Sequence, residues 1–379
     1  MPEHWIVADQ VFDGETLLKS MALCIVDDVV VALAPATEIP QGAQTVVVHG
    51  TVTPGFVDLQ VNGGGGVLFN HATSATGISQ IAAAHHALGT VAIMPTIITD
   101  APRVMEAAAK AALAVKDAPH FAGLHIEGPH IDPAKRGTHD AGFIRPLDDA
   151  TIQIVRTLRA ADIAVMITLA PEAAQLAQIT ELAAIGATVS LGHSNCTASV
   201  AKSAFEAGAS CVTHLFNAMS QMQGRAPGLV GAAINSEAYV GIICDGVHVA
   251  DEMIGLALRA RPAPDRSFIV SDAMPTVGGP DRFTLYDQEI RVQAGRLINT
   301  EGRLAGAHTT MAEGVARLVQ NVQLPLQSAL RMAITVPARV IGAPHLRQIT
   351  GRIATDMVVL DAILRLRGTV QDAIDNQRA

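Results

Sequence analysis

Short apolar segments that end in polar residues recur along the chain, and an alanine-rich helical stretch follows several of them. This alternation is typical of βα units, whose strands pair in parallel. Eight such segments are predicted as strands, which is the number that closes a barrel. They cover residues 55–60, 90–98, 122–127, 164–170, 188–193, 211–217, 240–245 and 267–272. The sequence therefore predicts an α/β fold with a TIM-like (β/α)8 barrel.

The predicted helices between these strands are bounded by residues that commonly begin and end helices. A threonine cap precedes the first helix, Pro102 opens the second, and Gly186 and Gly208 end two others. These helices cover residues 76–88, 101–116, 148–161, 173–185 and 197–207. The sixth connection, GRAPGLVGAA, is interrupted by glycine and proline, so we expect a functional loop there.

Two segments outside the barrel region show β-type runs without helical periodicity. One lies before Pro54, and similar runs return after about residue 344. We expect the last runs to complete the sheet of the first ones, so that both termini form a small β-sandwich domain. The predicted domains are residues 1–54 plus 345–379 for the sandwich and residues 55–344 for the barrel, which is then an insertion.

Composition narrows the classes of partner. The formal net charge of -9 argues against nucleic acid, whose binding draws on lysine and arginine. The N-terminus has no basic stretch followed by an apolar one, so we do not expect secretion. The uncharged stretch 59–99 is interrupted by polar residues and proline, which argues against a membrane span. Four cysteines without a C-x-x-C spacing are expected to be reduced thiols in a cytoplasmic protein.

Four of the eight predicted strands carry near their ends a residue that can bind a metal ion or act as a base: Glu127, His193, His214 and Asp272. The carboxyl ends of barrel strands meet at one mouth, so these side chains are expected to share a pocket. One carboxylate and two imidazoles suit Zn²⁺, and three protein ligands leave a fourth position for water. Such a metal lowers the pKa of its water towards about 7, and Asp272 would move the protons of amide hydrolysis.

Each of these residues also has an ordinary structural explanation. An isolated histidine in an apolar strand is more often a hydrogen-bonded core residue than a ligand, and Asp272 alone could cap the next segment or pair with an arginine. Four such residues at matching strand ends favour the metal site. A barrel lyase or aldolase would need a lysine in the strands, and none of the eight segments has one. Deaminases and cyclic-amide hydrolases use the same metal and base, so they stay open as alternatives.

Seven motifs follow one another along the barrel: PGFVDLQVNGGGG, GLHIEGPHIDPAKRGTHD, LGHSNCT, THLFNAMSQMQGRAPGLVGAA, CDGVHV, VSDAMP and LAGAHTTMAEGV. Together and in this order they resemble the amidohydrolase superfamily, and within it the N-acetylglucosamine-6-phosphate deacetylases. The resemblance implies a barrel with a small β-sandwich from both termini, and a homodimer. It also implies hydrolysis of the acetamide of N-acetyl-D-glucosamine 6-phosphate to D-glucosamine 6-phosphate and acetate in amino-sugar catabolism.

The resemblance also implies how the reaction would be catalysed. Glu127, His193 and His214 would bind the metal that activates a water molecule. Asp272 would be the general base, and His139 would help to polarise the acetamido carbonyl.

The sugar phosphate would be held by a second set of residues: Asn217, the backbone of Ala218, Arg225 and His248. One option is that Arg225 reaches in from the other subunit of a homodimer. His308 stands where the family has small hydroxyl or apolar residues. It would add a sugar or phosphate contact or, alternatively, be a packing or surface residue.

Members of the superfamily that bind two metal ions have a His-x-His motif on the first strand and a bridging lysine on the fourth. The expected number of metal ions in this chain follows from comparison with that pattern. Here the first strand offers Asp58, Leu59 and Gln60, and the fourth, MITLAPE, has no lysine. We therefore expect one tightly bound divalent metal per subunit, Zn²⁺ first and Fe²⁺, Co²⁺ or Mn²⁺ as alternatives. Gln60 would orient the substrate or a loosely bound second ion.

Overall fold

The computed structural model describes residues 3–300, 302 and 304–378 of the chain. Its strands, in chain order, are β1 (Glu3–Phe12), β2 (Leu17–Lys19), β3 (Met21–Val26), β4 (Val29–Pro35), β5 (Gln44–Pro54), β6 (Phe56–Val61), β7 (Gly63–Gly64), β8 (Val67–Leu68), β9 (Thr90–Ile98), β10 (Leu124–Glu127), β11 (Val165–Leu169), β12 (Thr188–Leu191), β13 (Cys211–Val212), β14 (Tyr239–Ile243), β15 (Ser267–Val270), β16 (Arg282–Leu285), β17 (Gln288–Gln293), β18 (Arg296–Ile298), β19 (Met357–Leu360) and β20 (Leu366–Thr369).

The α-helices, in the same order, are α1 (Ala75–His86), α2 (Pro102–Ala114), α3 (Asp149–Ala160), α4 (Leu176–Ala184), α5 (Ala198–Glu206), α6 (Gly228–Ile234), α7 (Asp251–Ala260), α8 (Met311–Gln320), α9 (Leu326–Leu330), α10 (Val336–Val340) and α11 (Val370–Arg378). A π-helix (Arg331–Thr335) joins α9 to α10. Short 3-10 helices cover Ala36–Glu38, Pro133–Lys135, Ala141–Phe143, Pro171–Ala173, Pro264–Arg266, Pro344–Arg347 and Ala354–Asp356.

Eight parallel strands form the barrel, in the order β6, β9, β10, β11, β12, β13, β14 and β15. The first and last of them meet through a parallel bridge between Val61 and Ala273, which nearly closes the sheet. Parallel strands are buried on both faces, so they consist of continuous apolar runs. All nine residues of β9 are buried, for example. The predicted (β/α)8 barrel is confirmed, and each observed strand lies within its predicted segment or one residue beyond it.

The first five helices between the strands lie close to their predicted ranges, with two differences. Ser74, not a threonine, caps α1, and its hydroxyl accepts a hydrogen bond from the Gly77 amide at 3.1 Å. The fourth helix begins at Leu176, because the residues before it, Pro171–Ala173, form a separate 3-10 turn.

The sixth connection divides into an exposed loop and a buried helix. Residues 221–227 are all exposed, whereas every residue of α6 is buried. Gly228 has φ +62° and no space for a side chain, since a Cβ there would lie 2.6 Å from the carbonyl oxygen of Ser220. The expectation of a loop throughout GRAPGLVGAA is therefore wrong for its second half. There, glycine and alanine allow close packing rather than flexibility.

Strands from both termini form one seven-stranded sheet. β1 pairs with β5 in parallel, and β19 pairs with β5 in antiparallel register, with Met357 opposite Pro54. Val370 and Ile374 of α11 pack with apolar side chains of β1, β3 and β5. The C-terminal run thus completes the sheet of the N-terminal strands, as expected. The residue boundaries of the two predicted domains stay a prediction.

A three-stranded antiparallel sheet, β16 to β18, follows the last barrel strand. Its apolar residues Leu285, Ile290 and Leu297 pack with Ile98 and Met274, which lie at the ends of barrel strands. This contact holds the small sheet beside the barrel mouth. This small sheet was not predicted from the sequence, because its strands are only three to six residues long and largely exposed.

The cysteines agree with the expected reduced thiols, since Cys24, Cys196, Cys211 and Cys244 are all buried and form no disulfide. Within the described ranges, none of the helices has both the length and the apolar character needed to cross a membrane.

Candidate active site

The four residues predicted near strand ends meet in one buried pocket at the barrel mouth. Glu127 is the last residue of β10, and His193, His214 and Asp272 lie two residues beyond the ends of β12, β13 and β15. None of the four is more than 9% exposed. The carboxyl ends of barrel strands converge, so residues distant in sequence become neighbours here.

Three of these residues have a left-handed backbone conformation. Their φ angles are +46° for His193, +31° for His214 and +51° for Asp272. A residue with a Cβ disfavours this region, and such strain concentrates at functional sites. In each case the left-handed residue turns the chain away from the barrel strand just after the hydrogen bonding between strands ends. Its side chain then lines the pocket.

Glu127, His193 and His214 bring three donor atoms close together. Glu127 Oε1 lies 2.9 Å from His214 Nε2 and 3.3 Å from His193 Nε2. The two Nε2 atoms are 3.1 Å apart. His193 Nδ1 donates a hydrogen bond to the carbonyl oxygen of Lys135 at 2.9 Å. In the neutral ring, Nε2 then presents its lone pair to the other two donors, as a metal-ligating histidine does.

This metal cluster, Glu127, His193 and His214, has the donor chemistry of a zinc site, with two imidazole nitrogens and one carboxylate. Burial alone would raise the pKa of Glu127, but hydrogen bonds with His193 and His214 outweigh burial and hold that pKa well below its usual range. The carboxylate is therefore ionised, and its negative charge lies where a cation would bind. His139 also offers a ring nitrogen within 4.8 Å of donor atoms on Glu127 and His193.

Two amide side chains at the end of β6 hold Asp272. Gln60 Nε2 donates to Asp272 Oδ1 at 3.1 Å and to Glu127 Oε1 at 3.0 Å. Asn62 Nδ2 donates to the same Asp272 oxygen at 2.6 Å. Burial, and after it the charge of Glu127, raises the pKa of Asp272 to about 6. A carboxyl group with this pKa can take up and release a proton near neutral pH.

Thr99, which directly follows β9, orients His139. Its Oγ1 lies 2.7 Å from His139 Nδ1, and the His139 ring packs on the His193 ring with 4.4 Å between their centroids. Burial lowers the pKa of His139 to about 3, so this imidazole is neutral. When the Thr99 hydroxyl donates to Nδ1, the ring proton is on Nε2, which can donate to a carbonyl oxygen.

A cavity of about 180 Å³ is lined by the metal cluster together with Asn62, His139 and Asp272. Three of the residues expected to hold the sugar phosphate also line it: Asn217, Ala218 and His248. His248 Nδ1 is 2.7 Å from Asp245 Oδ2, so it donates to that carboxylate and leaves Nε2 for another partner.

Two expected substrate contacts are not among the described residues that line this cavity. Arg225 lies in the exposed loop 221–227 and lines a separate cavity of about 550 Å³, together with Lys135 and Asn195. His308 Nδ1 is 2.9 Å from Thr276 Oγ1. Neither Arg225 nor His308 therefore lines the pocket of the metal cluster in this chain.

Three residues of the site were missed in the sequence. Asn62 had a usable signal, because Gln60 and Asn62 are spaced like a His-x-His pair and project to one face of the strand. This pair contacts Asp272, whereas Asp58 accepts hydrogen bonds from backbone amides. Thr99 and Asp245 had no such signal, since threonine and aspartate are common in the turns that follow strands.

Similarity to known proteins extends over most of the chain. The model of the amidohydrolase family matches residues 51–366. An N-acetylgalactosamine-6-phosphate deacetylase from Shewanella sp. (strain ANA-3) is 41% identical over 317 residues, which cover 82% of this chain and 79% of that protein. The N-acetylglucosamine-6-phosphate deacetylase of Haemophilus influenzae is 34% identical over 333 residues, 86% of each chain. The crystal structure of N-acetylglucosamine-6-phosphate deacetylase from Pasteurella multocida has a TM-score of 0.89 and 35% identity, and covers 97% of both chains.

Proposed function

The chain belongs to the amidohydrolase family, and on that premise we propose that it hydrolyses the acetamide of N-acetyl-D-glucosamine 6-phosphate to D-glucosamine 6-phosphate and acetate. One observation carries the proposal: the donor atoms of Glu127, His193 and His214 lie within 3.3 Å of one another, and Asp272 lines the same cavity. The similar proteins described above support this choice of substrate, because they are deacetylases of amino-sugar phosphates.

The metal cluster is assigned to one divalent ion, Zn²⁺ first, because imidazole and carboxylate ligands suit it. When bound, such an ion lowers the pKa of water and stabilises negative charge on a carbonyl oxygen. Gln60 and Asn62 direct N–H groups, not lone pairs, at the carboxylates. This arrangement argues against a second tightly held ion beside them.

Asp272 is assigned to the proton transfers. Gln60 and Asn62 both bind its Oδ1, so Oδ2 stays available for a water molecule or an amine. In the proposed reaction Asp272 accepts a proton from the attacking water. It then donates this proton to the amine nitrogen as the C–N bond breaks and acetate forms. A pKa of about 6 suits both steps near neutral pH.

His139 is assigned to the acetamido carbonyl. A neutral ring whose Nδ1 accepts from Thr99 has its only N–H on Nε2. That N–H can donate to the carbonyl oxygen and strengthen as negative charge develops there, which is how a fixed donor lowers the barrier. His139 then orients and polarises the substrate without changing its own protonation state.

The residues expected to bind the phosphate do not all lie in one place within a single subunit. A protein of net charge -9 repels a dianion at long range, so recognition depends on local contacts. Asn217, Ala218 and His248 line the cavity, whereas Arg225 lies in the fully exposed loop 221–227. We therefore assign Arg225 to the active site of a neighbouring subunit in a homodimer. The substrate class and the unpaired thiols support a cytoplasmic location.

Acetate release from three sugars tests the proposed function. We expect kcat/KM for N-acetyl-D-glucosamine 6-phosphate to exceed that for the unphosphorylated sugar roughly 100-fold, since a charge-assisted phosphate contact is absent from the latter. Equal rates on both sugars would refute the sugar-phosphate assignment. A deaminase or a cyclic-amide hydrolase would release no acetate from any of them.

The third sugar, N-acetyl-D-galactosamine 6-phosphate, addresses a second candidate function. A deacetylase of that substrate is 41% identical to this chain, against 34% for the Haemophilus influenzae protein. The two substrates differ only in the configuration at C4. A higher kcat/KM for the galactosamine compound would assign it as the preferred substrate, with the same metal cluster and Asp272.

Thr99→Val should lower kcat about tenfold with little change in KM. Valine keeps the branched shape but removes the hydroxyl that fixes the His139 tautomer, and one hydrogen bond contributes about 1 to 1.5 kcal/mol. Thr99→Ser is the matched control, because it keeps the hydroxyl and should retain most of the activity. If serine and valine lowered kcat equally, Thr99 would act through packing alone. Steady-state kinetics on the 6-phosphate substrate decide between these outcomes.

Arg225→Ala should lower kcat/KM for the 6-phosphate substrate roughly 30-fold, or about 2 kcal/mol, as expected for truncating one partner of a charged pair. The loss should be much smaller for unphosphorylated N-acetylglucosamine. In mixtures of Arg225→Ala and Asp272→Asn chains, hybrid dimers should regain activity, because one site then has both residues. Equal losses on both sugars would indicate a structural role, and no regain on mixing would place Arg225 in its own subunit's site.

A further inference from the structure

A second cluster of metal-binding side chains lies at the base of the barrel, away from the active site. It consists of His86, His120 and Asp356, whose donor atoms are all within 4.8 Å of one another. His120 contacts Val91 at the start of β9, whereas the active site lies at the other end of this nine-residue strand. A strand of that length separates the two places by roughly 25 Å.

His120 is held with one ring nitrogen available. Its Nδ1 donates to the carbonyl oxygen of Val91 at 2.9 Å, and its own carbonyl oxygen accepts from the Ile93 amide at 2.9 Å. Both contacts fix it to β9. A neutral imidazole that donates through Nδ1 has its lone pair on Nε2. Metal-ligating histidines commonly have this arrangement, with the second nitrogen bound to a backbone carbonyl.

His86 and Asp356 complete the set from two other parts of the fold. His86 is the last residue of α1, where the helix dipole favours a positive charge. Its Nε2 lies 3.1 Å from Asp356 Oδ1, and its ring stacks on that of His120 with 4.1 Å between centroids. Asp356 directly precedes β19, and its carbonyl oxygen accepts from the Gly55 amide at the start of the barrel.

An ion pair between protonated His86 and Asp356 explains only part of this arrangement. The two side chains are 25% and 18% exposed, and such a pair contributes little to stability. Arg352 already lies 3.9 Å from the other oxygen of Asp356 and balances its charge. The ion pair also gives no role to the lone pair of His120. Two imidazoles and one carboxylate oxygen around one point are the ligands that Zn²⁺ prefers.

We propose that His86, His120 and Asp356 bind a divalent metal ion of the Zn²⁺ class, separate from the catalytic ion. The ion links the end of α1, the start of β9 and the start of β19, and so fastens the sheet of the chain termini to the barrel base. His86 and Asp356 are 25% and 18% exposed, whereas the side chains of Glu127 and His193 in the metal cluster of the active site are 3% and 6% exposed. Water competes more readily for such exposed ligands, so we expect this site to bind its ion more weakly than the active site does.

Titration of Zn²⁺ into the holoenzyme, with its catalytic ion in place, tests the proposal by calorimetry. We expect one further binding site per chain in the wild type, and none in His120→Ala. Asp356→Asn should weaken it at least tenfold. His49→Ala is the matched control, since the His49 side chain is 88% exposed, and it should bind as the wild type does.

Two measurements keep the result unambiguous. Deacetylase activity equal to that of the wild type shows that His120→Ala, Asp356→Asn and His49→Ala are folded, and His86→Gln replaces His120→Ala if the latter is not. His214→Ala should keep the further site, because it alters only the cluster at the mouth. Absence of a further site in the wild type, or one that survives in both His120→Ala and Asp356→Asn, would overturn the proposal. A further site lost in His214→Ala would place the second ion at the active site instead.

Discussion

Asp272→Asn should lower kcat by roughly 10² to 10⁴, the usual range for losing a positioned acid–base group. Asparagine keeps the size of the side chain and an oxygen that can accept from Gln60 and Asn62. It cannot take up the proton of the attacking water or deliver one to the amine. We therefore expect the loss in kcat, with substrate affinity and metal content close to those of the wild type. Steady-state kinetics and metal analysis on the same sample measure both.

The control for this substitution is Asp281→Asn, the same change at an exposed position. It should leave kcat within about twofold of the wild type, because surface substitutions away from special features have small effects. Near-wild-type kcat for Asp272→Asn at saturating substrate would exclude Asp272 as the base. Loss of the metal ion from this variant would show instead that the carboxylate supports the metal cluster.

The barrel and the residues at its strand ends could be predicted from two general properties of parallel barrels. Parallel strands buried on both faces appear as apolar runs, and β9 is such a run from Thr90 to Ile98. The carboxyl ends of those runs share one mouth, so Glu127 and His214 had to be neighbours once the barrel was recognised. Their separation of 2.9 Å needs the coordinates, since the left-handed φ of His214 is not visible in the sequence.

The residues that support the site were harder to predict, because their function depends on contacts across the barrel. Asn62 matters through its 2.6 Å hydrogen bond to Asp272, which is 210 positions away. Thr99 matters through His139, 40 positions away. Amide and hydroxyl side chains are common everywhere on protein surfaces, so neither residue type indicates a site by itself. Such orienting partners become recognisable only when the tertiary structure is known.

Arg225 and α6 show a different limit of sequence reasoning. Both lie in or beside one glycine-rich and proline-rich stretch, which suggested a loop. Gly228 instead begins a buried helix, because the space around it excludes a side chain. Arg225 lies in the exposed part and lines a cavity other than that of the metal cluster, so its contact with the phosphate stays a prediction. Local composition cannot distinguish packing, flexibility and contact with another subunit.

His214→Ala should empty the metal cluster and lower kcat/KM roughly 10³-fold or more, since metal assistance contributes several kcal/mol to the transition state. The imidazole of His214 contacts both of the other donors, at 2.9 Å from Glu127 Oε1 and 3.1 Å from His193 Nε2. Its removal leaves only a carboxylate and one imidazole, too few protein ligands for a catalytic zinc site. When His214→Ala is added to a His120→Ala background, which lacks the proposed site at the barrel base, metal content after dialysis against a weak chelator should fall from one ion per chain to nearly none.

The His193→Ala variant and the His193→Ala/His214→Ala double variant test whether both histidines bind the same ion. Each histidine is needed for the same ion, so the double variant should be hardly less active than either single one, because effects on a shared ion are not additive. His49→Ala, at a side chain that is 88% exposed, controls for loss of a histidine and should keep both the ion and the activity. If the His120→Ala/His214→Ala double variant retained one tightly bound ion, His139 would be the third ligand instead, since its ring nitrogen also lies within 4.8 Å of donors on Glu127 and His193. In that case the polarising role assigned to His139 would have to pass to another group in the pocket.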